Sequence, residues 1–144
     1  MADLVATSAL DGLALPVSAG RCRLAALPEV RRAIVTAPAE GVRLGIGQWL
    51  VEGPGEVDVS DGFAGLAVEG EDATEVLARL VPLDLAGGGL PARTLLGHTP
   101  VVISARAGGF VLLVPRSYSA SAVAEIAAAM RAVAARRVVR DAGV

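Results

Sequence analysis

The side chains in this sequence best suited to chemistry are one histidine, one cysteine and a short acidic cluster. His98 is a candidate acid–base group or metal ligand. A zinc site needs several ligands, and none cluster with His98 in sequence. It also has no evident nucleophile partner, so a structural or interface histidine is the preferred reading. Cys22 has no second cysteine to pair with, which excludes an internal disulfide and a cysteine-based metal cluster. It reads as a small hydrophobe facing inward. Glu71, Asp72 and Glu75 resemble paired catalytic carboxylates. They also fall at the start of a helical pattern, where acids cap and complement the helix dipole, and that reading is preferred. Gly87-Gly88-Gly89 resembles a phosphate loop, but no Walker Lys-Ser/Thr follows and no G-x-G-x-x-G fingerprint is present. A flexible connector is the better reading. Trp49 reads as a core or interface anchor rather than a cofactor-stacking ring.

The elements that must position these residues follow from apolar periodicity. Pro100–Ser104 and Phe110–Val114 are β-branched runs around the turn Arg106-Ala107-Gly108-Gly109, a strand–turn–strand signal. Gly97-His98 reads as a bulge or kink before the first of them. A helix follows, capped by Ser117 or Ser119, with Val123, Ile126, Ala127, Met130, Val133 and Ala134 facing inward. Ala120, Ala124, Ala128 and Ala135 make a second apolar face, which a neighbouring subunit could cover.

Earlier in the chain, Arg21–Leu27 reads as an edge strand and Arg31–Thr36 as a second strand. Val42–Ile46 and Gln48–Glu52 read as a hairpin about Gly45-Ile46-Gly47. Val57–Ser60 is extended, and Phe63–Glu69 alternates as a half-buried strand does. A helix opens at Gly70-Glu71-Asp72, buries Ala73, Val76, Leu77 and Leu80, and stops before Pro82. The expected organisation is an N-terminal arm over 1–20, one α+β domain over 21–137 and a tail over 138–144. Arg136, Arg137 and Arg140 near that end suit a helix C-terminus.

The chain has 144 residues, 53% of them hydrophobic and 19% charged, which fits one domain with a real core. All thirteen basic residues are Arg, and the net charge is −2. No electrostatic footprint for nucleic acid is visible. The N-terminus lacks the basic start of a signal peptide, and no window approaches the length of a spanning helix. The expectation is a cytoplasmic protein that neither enters a membrane nor binds nucleic acid. So few charges on so apolar a chain fit either a partner-covered surface or an ordinary Ala-rich monomer.

Several pieces, in order, resemble the gamma subunit family of heterotetrameric sarcosine oxidase. They are Val42 to Val51, Val59 to Phe63, Gly70 to Ala73 through Leu83-Asp84-Leu85, Thr94 to His98, and Leu112 to Tyr118. The resemblance implies an α+β fold with a mixed, mostly antiparallel sheet and two main helices packed on it, like the folate-binding aminomethyltransferase domain. It implies a non-catalytic subunit that stabilises a flavoenzyme demethylating sarcosine or a related N-methyl amine. Alpha, beta and delta subunits are the implied partners. FAD, FMN, NAD, tetrahydrofolate and zinc are expected in those partners and none in this chain. Trp49, Arg93, His98, Arg116 and Tyr118 are the candidate subunit-interface residues. The alternative is a free-standing folate- or small-molecule-binding domain.

Overall fold

The computed structural model describes residue 10 and residues 12–27, 32–36, 39–45 and 48–142. In chain order its strands are β1 (Val17–Ala19), β2 (Cys22–Ala26), β3 (Arg32–Val35), β4 (Val42–Gly45), β5 (Gln48–Glu52), β6 (Val57–Asp58), β7 (Phe63–Glu69), β8 (Ala92–Leu96), β9 (Thr99–Arg106) and β10 (Gly109–Pro115). The helices are α1 (Ala73–Ala78) and α2 (Ser119–Asp141). One sheet has the order β1-β2-β7-β10-β9-β8, and a smaller one the order β4-β5-β3-β6. The class is α+β, as expected. Two sheets replace the single one, each ladder among the described residues is antiparallel, and one long helix dominates the short α1.

Strand alternation explains the layering. On β7, Ala64, Leu66 and Val68 join a core that includes Leu24, Ile103, Leu112, Ile126 and Met130 beneath the helices. The opposite face carries Phe63, Gly65 and Ala67 toward the smaller sheet, where Val42, Leu50 and Val102 form a second core with Phe63 and Leu113. β7 was expected to be half-buried, yet Ala64 to Val68 are all buried. The reason is its central place, with β2 and β10 on either side and a layer over each face.

Other differences have local causes. β2 is not an edge strand, because β1 pairs along its outer side. β1 comes from the segment expected to be an arm. Its turn depends on Gly20, which has φ +57° and lies so close to α2 that an added Cβ would sit 2.9 Å from the Ala134 Cβ. α2 continues through Asp141 instead of ending before a tail at 138, since neither Gly nor Pro interrupts it there. Gly97-His98 is the tight turn joining β8 to β9, with Leu96 opposite Thr99, and not a bulge. Ser119 does not cap α2 with its oxygen; its buried hydroxyl donates to the Arg116 carbonyl at 2.8 Å. The tip Ile46-Gly47, Arg31 and residues 1–9 lie outside the described residues. Among the described residues, no helix is long and apolar enough to cross a membrane.

Candidate functional site

The two sheets do not fill the space between them. A cavity of about 390 Å³ lies there, over Val102, Val111 and Leu113 of the larger sheet and against Val42 and Leu50 of the smaller. Ser104 of β9 is a small residue in its lining, on the side of the larger sheet. Arg32 of β3 points into it and is 5% exposed. An added Cβ on Gly65 would sit 2.8 Å from Arg32 Nη2, so the guanidinium rests on the bare backbone of β7. Its own strand is pinned by Ser60: the Arg32 N–H donates to Ser60 Oγ at 2.8 Å, and Ser60 Oγ donates to the Arg32 carbonyl at 3.3 Å. Glu52 lies directly across the ladder from Arg32. Glu40, Glu52 and Arg106 are exposed and form the rim. A separate apolar recess of about 190 Å³ opens among Leu44, Phe63, Pro100 and Pro115.

The five residues expected at an interface fall in three places. His98 is exposed at the β8–β9 turn, and Arg116 and Tyr118 are exposed in the 3₁₀ turn Arg116–Tyr118 that follows β10. Strand register puts these three at one end of the larger sheet, since Leu96 meets Thr99 on one side and Pro115 meets Phe63 on the other. Tyr118 is 46% exposed. Beside the same turn, a Glu125 carboxylate oxygen is buried with no hydrogen-bond partner, and a Cβ on Gly97 would lie 3.0 Å from it. Arg93 is elsewhere. Its Nη1 donates to the Leu44 carbonyl at 2.6 Å and clips β8 to β4 across the two sheets. Trp49 is half-buried on β5, on the opposite side of that strand from Leu50.

Of the acidic cluster, Glu75 lies in the first turn of α1, as expected, while Asp72 differs. Asp72 precedes α1 but makes no side-chain cap bond. Its carboxylate, 2% exposed, accepts from Arg137 Nε at 3.1 Å and from Arg137 Nη2. The Arg137 hydrogen bond holds the Asp72 carboxyl below its ordinary range, against the opposing effect of burial. Burial, followed by the charge of Asp72, pushes the Cys22 thiol up to about 11. Cys22 is buried, as expected, and a thiol so raised is a poor nucleophile at neutral pH. Among the described residues, no three His, Cys, Asp or Glu side chains are grouped to hold a metal ion.

Sequence reasoning missed both Arg32 and the Asp72–Arg137 pair. The available signal for Arg32 was its place at the head of an apolar strand, Arg32-Ala33-Ile34-Val35.

No protein-family model matches the sequence, and no curated protein does. Among solved structures, the fold is similar to that of a chain in heterotetrameric sarcosine oxidase from Corynebacterium sp. U-96, solved in complex with pyrrole 2-carboxylate. The TM-score is 0.74 at 17% identity, covering 89% of this chain and 96% of that one. At that identity the likeness establishes a shared fold, spanning nearly the whole of both chains.

Proposed function

We propose that this chain is a non-catalytic, gamma-type subunit of a heterotetrameric flavoenzyme that oxidatively demethylates sarcosine or a related N-methyl amine. The observation that carries this reading is the near end-to-end match in fold to a chain of heterotetrameric sarcosine oxidase. The ordered family-like segments from Val42 to Tyr118 support it. In this reading the alpha, beta and delta partners hold the flavins, NAD, tetrahydrofolate and zinc, and the complex is cytoplasmic. This chain contributes a docking surface. The end bearing His98, Arg116 and Tyr118 suits that role, because an unsatisfied buried Glu125 oxygen there is an acceptor that a partner's donor would complete. The Ala120–Ala124–Ala128 face of α2 is exposed and continuous with that end.

Co-expression with the flavin-bearing subunits tests the proposal. A stoichiometric complex is expected, and Tyr118→Ala with Ala124→Arg should release this chain from it while leaving the chain folded. Normal assembly of the flavin subunits with this chain left behind would refute the reading.

A further inference from the structure

We propose that Glu125 is the socket for a cationic side chain of a flavin-bearing partner subunit, with the small residues of α2 around it as the seat. This rests on the subunit reading and deepens it by naming the group that the docking end receives.

Glu125 sits on α2 beyond its first turn, so the helix dipole does not account for its charge. The positions that could pair with it along the helix are Ser121 and Ala122 on one side and Ala128 and Ala129 on the other, and none carries a cation. Its carboxylate lies instead against the bare backbone of Gly97, where an added Cβ would meet both oxygens at 3.0 Å. The Gly97 N–H is not available to it, since that group donates to the Leu80 carbonyl at 3.1 Å. Among the described residues, no donor reaches the buried Glu125 Oε2, and no ion pair includes Glu125. A carboxylate taken from water without a partner is costly.

The neighbours set access and the class of partner group. Glu125 is half-buried, so part of it faces solvent beside the sealed oxygen. Ala120, Ser121, Ala124 and Ala128 are exposed and small, so no long side chain at these positions of α2 overhangs the carboxylate. Docking removes the remaining water from this charge. A neutral donor would leave the charge uncompensated, whereas a lysine or arginine offsets it, which selects a cation.

Glu125→Gln, which keeps the shape and removes the charge, tests this in two measurements with opposite expected signs. In the isolated full chain it should raise the urea midpoint, because an uncompensated, partly buried charge is lost. In the co-expressed complex with the flavin-bearing subunits it should weaken binding of this chain ~10-fold near physiological salt, the ratio that losing a charge-assisted hydrogen bond gives. That loss should shrink in about 1 M salt, where charges attract over a shorter range. Ser121→Ala, on the same face and neutral, should change neither measurement. A lower urea midpoint for Glu125→Gln would show that the charge serves the fold and would overturn the proposal. A Glu125→Gln chain that binds as tightly as the wild type would overturn it too, and would leave the subunit reading standing. A wild-type chain that the flavin subunits leave behind would overturn both.

Discussion

Replacing Asp72 with asparagine removes one charge from the most buried carboxylate described, at almost constant volume. Three segments meet at this residue. Its backbone N–H donates to the Arg21 carbonyl at 3.1 Å, which ties the β1–β2 turn to the start of α1. Its carboxylate takes two bonds from Arg137, which ties both to the last turns of α2. Asparagine keeps one acceptor oxygen and loses the charge. A hydrogen bond to a charged group contributes about 1.5–3 kcal/mol. The Arg137 side chain is 25% exposed and partly screened, so the lower part of that range applies, and Asp72→Asn should cost about 2 kcal/mol. For a chain of this size that is roughly 6 °C in Tm. Urea unfolding followed by circular dichroism measures it. The pH dependence has a definite sign. The folded carboxyl is held below its ordinary value, so its contribution is present above pH ~4 and is lost as the pH falls through the folded pKa. The gap between wild type and variant should thus be constant near neutrality and close in acid. Arg137→Gln should act in the same direction and add little in the double variant. A variant that unfolds at the wild-type urea midpoint at neutral pH, or a gap that persists unchanged in acid, would refute this account.

The Cys22 thiol, raised by burial and by the Asp72 charge from 9.0 to about 11, should not react with a disulfide reagent in the native state. Its labelling rate should follow unfolding, and rapid stoichiometric labelling of the native chain would contradict the burial. Because its folded pKa is the raised one, its contribution holds below pH ~9 and stability should fall as the pH rises from there toward 11. Gly109→Ala would put a Cβ onto the Val68 carbonyl oxygen and 2.9 Å from the Glu69 Cα, forcing β10 from β7. It should cost about 2–3 kcal/mol. Gly89→Ala, with nothing within 4 Å of its added Cβ, should change stability by less than ~0.5 kcal/mol in the same urea assay.

The parts of this fold legible in the sequence are those whose evidence is local. The β9–β10 hairpin shows as two alternating runs about a Gly-rich turn, and α2 shows as an i, i+3, i+4 stripe. β1 lies in a segment where Gly12, Pro16 and Gly20 argue only against a long helix, and Gly20 makes the turn that lets β1 pair. Alternation cannot say which sheet a strand joins, so the second sheet was not foreseeable from β3 to β6. Asp72 and Arg137 are 65 positions apart, and each had a sufficient local explanation in a helix dipole. Arg32 stands at the head of a short apolar strand, with nothing in its own window to mark it as buried. Its burial depends on Gly65 in another sheet, a coincidence that no window of sequence displays.

The two faces of the larger sheet do different things. The helix-covered face is dense: Leu24, Leu66, Leu96, Ile103, Leu112, Ile126 and Met130 are all fully buried there. The other face has only Val42, Leu50 and Val102 as its buried cluster. On this face Val102, Val111 and Leu113 border the open space of about 390 Å³, and Ser104 beside them is small. Each methyl-sized void costs on the order of 1 kcal/mol, so filling this one is an accessible route to greater stability. Stability therefore resides mainly on the helix-covered face of the larger sheet.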